Sequence, residues 1–404
     1  MKKLAVLNVQ MALMMFFQYM MFAVWWVPLA AYLTQMDIGS TQKALILSSM
    51  ALGCLVSPLT GMLADRYFQG QYVLAFTNFV NAALLALAAT TSNPNLLFLF
   101  LLVAMIFYMP TWGLTSSIAM THIATEKFAR IRVFGSVGWV VSGGFSLLFV
   151  HLFEMNFDGT NLPFYCGAGV SLVAAFFNLS LPKTPPASNG QPVSLINIMG
   201  LGAVKLMRNR NFFWFIILSF LSMIPFSMYW SYCSEFLLDE GFKYISITMN
   251  FGQLAEMLFL LSVPFIVRKF GLRTTMFLGL IALTIRYLSF YSGALTDTGI
   301  LYMMGILMHG LIFGYFYLGG QMYIDEKAPK ALKAQAQGFI FLVTFGLGLL
   351  VGNFINAKII AIFSESGPDG TNYHWGMIWG ITTIMSIGLA ILFPLLVKKE
   401  NNQH

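Results

Sequence analysis

Asn250-Phe251-Gly252-Gln253-Leu254-Ala255-Glu256 lies in the middle of an apolar segment that runs from Ile245 to Val267. A segment of that length crosses the hydrocarbon core of a bilayer as a single helix. Glu256 falls near its centre. A carboxylate there is costly, so it marks a functional group that faces a partner, a cavity or a bundle interior. Gln253 precedes it by three residues and shares its helix face. The same apolar length recurs on both sides of the stretch. Of 404 residues, 58% are hydrophobic and 9% are charged. Soluble domains carry about 25% charged residues, and no soluble core absorbs this much apolar sequence. The chain is therefore read as an all-α integral membrane protein, because alternating barrel strands would be shorter.

Twelve spans are expected, near Val9–Leu33, Ala44–Leu63, Val73–Ala89, Leu96–Ile118, Ala129–Phe153 and Pro163–Leu181, then Phe212–Leu237, Ile245–Val267, Thr274–Tyr291, Ile300–Met322, Leu332–Ile355 and Trp375–Val397. The Met1-Lys2-Lys3 start followed by a long apolar run reads as an uncleaved first span rather than a signal peptide. Lys183-Thr184-Pro185-Pro186-Ala187-Ser188-Asn189-Gly190 opens a Pro/Ser/Gly linker, followed by a surface helix over Leu195–Arg210. This gives a six-helix bundle over residues 1–182, a cytoplasmic linker over 183–211 and a second six-helix bundle over 212–404. Of the 22 Lys and Arg, all but Lys43, Lys243, Lys358 and Arg286 fall on one side if both termini are cytoplasmic. That bias accounts for the net charge of +7 without a nucleic-acid partner. Of the 15 acids, Glu256 alone lies deep in a span. Cys54, Cys166 and Cys233 sit in apolar segments with neither metal nor disulfide spacing.

Gly61-Met62-Leu63-Ala64-Asp65-Arg66 links spans 2 and 3, and Pro264-Phe265-Ile266-Val267-Arg268-Lys269 holds the matching place between spans 8 and 9. Parallel six-span halves are the plan of transporters that alternate access to a midplane site between two bundles. The first loop resembles the G-x-L-A-D-R motif of the major facilitator superfamily, although the basic run that usually follows is replaced by Phe68-Gln69-Gly70-Gln71. The resemblance implies a conformational latch at Gly61, Asp65 and Arg66.

Other polar residues lie at membrane depth. Arg132, Ser136 and Trp139 fall on one face of span 5, offering a cation, a hydroxyl and a flat ring to a polar ligand with an aromatic part. The alternative is that Arg132 snorkels to headgroups while Ser136 and Gly138 allow close packing. His309 lies mid-span in span 10, where it either shares a proton with a carboxylate or bonds a backbone carbonyl. Phe313 and Phe316 share its face by helical spacing. Arg286 is expected to snorkel outward or to pair with an external acid. Gln18, Tyr19, Trp25, Trp26, Asn353 and Asn356 are weaker candidates.

Several segments resemble the bacterial nucleoside:proton symporters, a branch of that superfamily. They are Tyr108-Met109-Pro110-Thr111-Trp112-Gly113-Leu114-Thr115, Ile131-Arg132-Val133-Phe134-Gly135-Ser136-Val137-Gly138, Gln253-Leu254-Ala255-Glu256 with Pro264-Phe265, and Ile285-Arg286-Tyr287. The resemblance runs through most of the chain. It implies proton-coupled nucleoside uptake, with Arg132, Ser136, Gln253 and Glu256 as ligand contacts and Trp139 and Phe313 as ring-packing residues. Glu256 would couple the proton, with His309 beside it. The sequence departs from the family at Gly314 (an acid there), at His309 (a Tyr) and at Ser227 and Trp230 (polar amides). A sugar or a modified nucleoside is therefore a second substrate reading.

A non-transporting sensor or a membrane-embedded enzyme is a third reading, of another class. The sequence has no nucleotide-binding loop, no metal-spaced Cys/His cluster and no nucleophile–base pair. The expectation is a transporter with no cofactor, driven by a proton gradient and acting as a monomer. It would sit as a multi-pass protein in a bacterial inner membrane, with the lipid bilayer as its surroundings.

Overall fold

The computed structural model describes residues 2–36, 38–186, 199–329, 332–367 and 370–398. The side chains of residues 2–5, 60–66, 125, 126, 129, 334, 366 and 370 fall outside the description. Among the described residues eleven helices are long and apolar enough to cross a membrane, or twelve if one bent pair counts as a span. We number them spans 1 to 12: Val6–Gln35, Ser40–Leu59, Gly70–Thr90, Pro94–His122, Arg130–Leu152, Leu162–Leu179, Arg210–Asp239, the bent pair, Leu272–Thr296, Gly299–Lys327, Gln335–Ile362 and Trp375–Leu396.

The bent pair is the segment that carries Gln253 and Glu256. A helix over Ile245–Leu260 stops, and a second over Val263–Phe270 leaves at 52°. The cause is local. Pro264 sits at the start of the second helix, where its missing N–H is tolerated. It cannot donate back into the first, and its ring would clash with the preceding turn. The Ser262 hydroxyl donates to the Phe259 carbonyl at 2.6 Å, closing the first helix's last turn. Glu256 therefore sits one turn before a break, not midway along a straight rod. Pro225, by contrast, lies inside a continuous span 7. Two side chains serve the carbonyls beside it: Asn356 Nδ2 donates to Ile224 at 2.7 Å, and the Tyr287 hydroxyl donates to Pro225 itself.

Three features were not expected from sequence. Ile312–Leu318 in span 10 and Leu342–Gly348 in span 11 are π-helical. Ser364–Gly367 and Gly370–Tyr373 pair as an antiparallel hairpin between spans 11 and 12. The surface helix is a 3₁₀ segment over Leu201–Arg208, and the first residues of its expected range fall outside the description. The proposed latch residues Gly61, Asp65 and Arg66 lie in the helix Ser49–Tyr67, but their side chains are also outside it.

The chain forms two compact units. One comprises Met1–Ser194 with Ser231–Asn250, and the other Leu195–Trp230 with Phe251–His404. In the first, spans 1 and 5 meet so closely that a Cβ on Gly138 would lie 2.1 Å from the Phe16 carbonyl oxygen. Small residues of this kind replace the hydrophobic effect as the means of helix association where lipid is the solvent.

Candidate functional site

Each unit holds part of the residue set marked in the sequence. In the first unit, the Arg132 guanidinium carbon lies 4.3 Å from the centroid of the Tyr19 ring. Arg132 is thus held by a π face, where each contact is worth about 0.5–2 kcal/mol. Gly135 makes room for it, since a Cβ there would meet both Arg132 and Tyr19 at 2.9 Å. Tyr19 stacks on Trp112 at 6.0 Å, and Trp139 packs edge-on to Phe22 at 5.7 Å. Ser136 is half-buried one turn from Arg132. The predicted face of span 5 is therefore joined by Tyr19 and Trp112, which sequence reading either ranked low or did not single out. The signal was present in the quoted run that contains Trp112, yet nothing in one chain says which helix it meets.

A second polar cluster in this unit is internally satisfied. Gln18 Nε2 donates to Thr111 Oγ1 at 2.8 Å, Asn78 Nδ2 donates back to Gln18 Oε1 at 3.0 Å, and the Tyr108 hydroxyl donates to the Gln18 carbonyl at 2.8 Å. With its hydrogen-bonding capacity used inside the bundle, Gln18 serves as packing glue.

In the second unit, spans 8 and 10 meet at Glu256, with rings of span 7 around the contact. Its carboxylate Oε2 lies 3.4 Å from His309 Nε2, and both residues are buried. The approach of spans 8 and 10 makes this contact. A Cβ on Gly310 would lie 2.5 Å from the Ala255 carbonyl and from the Glu256 nitrogen. Gly252, one turn before Glu256, lies against the Tyr229 hydroxyl and His309. Four rings surround the imidazole: Tyr229 at 5.5 Å, Phe313 at 6.0 Å, Trp230 at 6.1 Å and Phe226 at 6.3 Å. Gln253 is buried on the same helix. The site thus combines an acid, an imidazole and an amide with flat apolar walls. That set can accept a proton and hold a heteroaromatic ring by stacking and hydrogen bonds.

Two expectations fail. Phe316 does not share the His309 face. Its ring packs near Phe393 at 6.3 Å and its backbone lies against Gly279, because the π-helical turn over Ile312–Leu318 carries Phe316, at its far end, out of the α-helical phase that a spacing of seven from His309 assumes. Arg286 does not reach outward. It is wholly buried, with its guanidinium carbon 3.9 Å from the centroid of the Tyr229 ring. Of the weaker candidates, Trp25 and Trp26 are core residues of the first unit, and Asn356 is committed to Ile224 and to Ser227 Oγ at 2.8 Å. Asn353 is buried in the second unit. Among the described residues no group of His, Cys, Asp or Glu could hold a metal ion.

The family described as Nucleoside H+ symporter matches residues 5–402. The "Putative nucleoside transporter YegT" of Escherichia coli K12 is 32% identical over 98% of this chain and 94% of its own. Nucleoside permease NupG of the same organism is 27% identical, covering 98% and 97%, and the xanthosine permease is 28% identical, covering 95% and 94%. In fold, the chain superposes on a crystal structure of NupG with a TM-score of 0.88 at 24% identity, covering 97% of this chain and 100% of that one. It superposes on a D-xylose-proton symporter with a TM-score of 0.71 at 13% identity, covering 97% of each. The fold, the paired units and a family match over nearly the whole length agree: this chain belongs to the nucleoside H+ symporter family, membrane transporters of the major facilitator architecture and not enzymes.

Proposed function

We propose that proton-coupled nucleoside uptake by this chain runs through Glu256, with His309 as the partner that receives or shares its proton. The observation that carries this reading is the buried Glu256–His309 contact at 3.4 Å, inside a span. A carboxylate held there must bind and release a proton as access alternates, and an imidazole beside it gives the proton a second resting place. Arg132, Ser136, Trp139, Gln253, Glu256, His309 and Phe313 are the proposed nucleoside contacts. Both guanidinium and amide can bond ribose hydroxyls or base edges, while the rings stack the base. The aromatic walls around His309 favour a ligand with a heteroaromatic ring over a plain sugar.

The proposed setting follows from the charge pattern of the sequence. The protein would lie in a bacterial inner membrane with both termini cytoplasmic, surrounded by lipid. It would draw on the proton gradient and need no cofactor. One copy carries both units, so a monomer would suffice.

The test uses purified protein in proteoliposomes with an inside-alkaline gradient and labelled uridine or adenosine. Glu256→Gln should lose gradient-driven accumulation while keeping counterflow, which needs binding and alternation but no net proton movement. Accumulation at the wild-type level by Glu256→Gln would remove the carboxylate from coupling. A thermal-shift panel of nucleosides and sugars tests the substrate. A response to sugars with none to any nucleoside would favour the second reading.

A further inference from the structure

Arg286 is a wholly buried cation on span 9. Its Nε donates to the Gly305 carbonyl at 3.2 Å, and its guanidinium stacks on Tyr229. Both terminal nitrogens are buried and have no hydrogen-bond partner among the described residues. A guanidinium has five donors, and one carbonyl and one ring face leave most of them unmet. A charge buried on such terms is strongly unfavourable unless an opposite charge balances it.

The described acids of this unit leave one candidate. Asp297, Asp325, Glu326 and Glu365 are all exposed, whereas Glu256 is buried. Contiguous groups join the two. Tyr229 lies under Arg286, its hydroxyl rests against Gly252 on the helix of Glu256, and its ring lies 5.5 Å from His309, which contacts Glu256. The other titratable groups packed nearby, Tyr287 and Tyr317, are buried phenols and supply no ready negative charge. In a low-dielectric interior, unit charges act across several ångströms with little screening. With His309 neutral, this interior is uncharged when Glu256 is ionised and carries one positive charge when Glu256 is protonated.

We propose that Arg286 is the countercharge of Glu256, a positioning residue that holds Tyr229 and His309 toward the coupling carboxylate and balances its charge when the proton has left. This rests on the coupling role given to Glu256 above, and extends it to a residue that would touch neither substrate nor proton.

Wild type, Arg286→Met, Arg286→Lys, Glu256→Gln and the double variant Arg286→Met/Glu256→Gln are compared. The readouts are folded yield, Tm in detergent, uridine counterflow and gradient-driven uridine accumulation. Arg286→Met alone should lower gradient-driven accumulation by about tenfold or more and counterflow much less, because nothing then balances the charge Glu256 takes up when its proton leaves. In the Glu256→Gln background the same substitution should change counterflow by less than about twofold, the pattern of a coupled pair. Arg286→Lys keeps the charge and should retain most of the activity. A structural role predicts instead the same loss in both backgrounds, and that result, including failure to yield folded protein in both, overturns the assignment. So does an Arg286→Lys variant as impaired as Arg286→Met, or an Arg286→Met variant that accumulates uridine normally. Gradient-driven accumulation by Glu256→Gln, measured with Arg286 intact, overturns the coupling reading itself, so the two failures are told apart.

Discussion

Glu256 and His309 meet because Gly310 lets two backbones touch. A Cβ at residue 310 would press on the Ala255 carbonyl and the Glu256 nitrogen at 2.5 Å, and neither atom is the free end of a flexible side chain. Gly310→Ala must therefore push span 10 away from span 8. Overpacking of this kind costs about 1–3 kcal/mol, and here the displacement falls on the Glu256–His309 contact. The expected outcome is a lower Tm together with a loss of gradient-driven uridine accumulation larger than the loss of counterflow. Equal losses in both transport modes would mean that the contact is not part of coupling. This residue also shows how far the site could be read in advance. Glu256, Gln253 and His309 were legible because a charge or polar group in an apolar run stands out on its own. Tyr229 and the placement of Arg286 were not. Which residues of four helices meet depends on helix phase, and a π turn changes that phase without changing composition. Arg286 as a snorkelling side chain was the natural reading of one helix in isolation. Its burial against a ring of span 7 exists only once the helices pack.

At the level of elements, the apolar runs and the basic loops fixed the spans, since hydrophobic length and Lys/Arg bias report directly on a membrane environment. What they missed were the breaks. Pro264 and Ser262 end a helix that hydropathy reads as continuous, and Gly367-Pro368-Asp369-Gly370 is a turn signal inside a short loop that formed a hairpin. A further break-like feature is the start of span 8, whose first free N–H groups are capped from far away in sequence. Asp158, in the loop between spans 5 and 6, accepts from the Ser246 N–H at 3.2 Å, from the Ser246 hydroxyl, and from the Ser146 hydroxyl at 2.9 Å. A carboxylate at a helix N-terminus is favourable by dipole and by hydrogen bond. Burial nevertheless outweighs those donors and holds the Asp158 carboxyl above its ordinary range. The sign follows from linkage. A carboxyl whose value is raised on folding binds its proton more tightly in the native state. Its contribution to stability is full below the ordinary carboxylate value and is lost as pH rises through the raised one. Asp158→Asn removes the titration and keeps a polar cap. The Tm of the variant relative to wild type should therefore rise across a pH scan that starts below the ordinary carboxylate value and ends above the raised one. A difference that stays flat across that window would show that the hydrogen bonds, not burial, dominate at this carboxyl.

On the scale of the whole molecule, the division into compact units does not follow chain order alone. Residues 231–250, the end of span 7 and the start of span 8, belong with the first unit, while the bodies of those same helices belong with the second. The contacts that hold this stretch are specific. Lys43 Nζ donates to Glu235 Oε1 at 2.5 Å and to Thr34 Oγ1 at 3.2 Å, with Lys43 nearly and Glu235 wholly buried. The Ala31 N–H donates to Ser234 Oγ at 3.3 Å, and Asn250 Nδ2 donates to the carbonyls of Trp139 and Val140 at 3.3 and 3.1 Å. Composition could place Lys43 and Glu235 only near helix ends, because their partnership joins spans 2 and 7, which lie far apart in the chain. A buried ion pair adds little net stability over an apolar replacement, yet losing one partner costs about 3–5 kcal/mol, since the other is left charged and desolvated. Lys43→Met and Glu235→Gln should each lower the Tm clearly. The double variant should recover most of the loss, measured by thermal unfolding in detergent. Transport gives the second readout. If release of this stretch is a step of the cycle, the double variant should exchange uridine at least as fast as wild type, because the ion pair no longer has to be broken. Slower exchange in a double variant of normal Tm would show that the pair acts outside that step, holding the first unit together throughout the cycle.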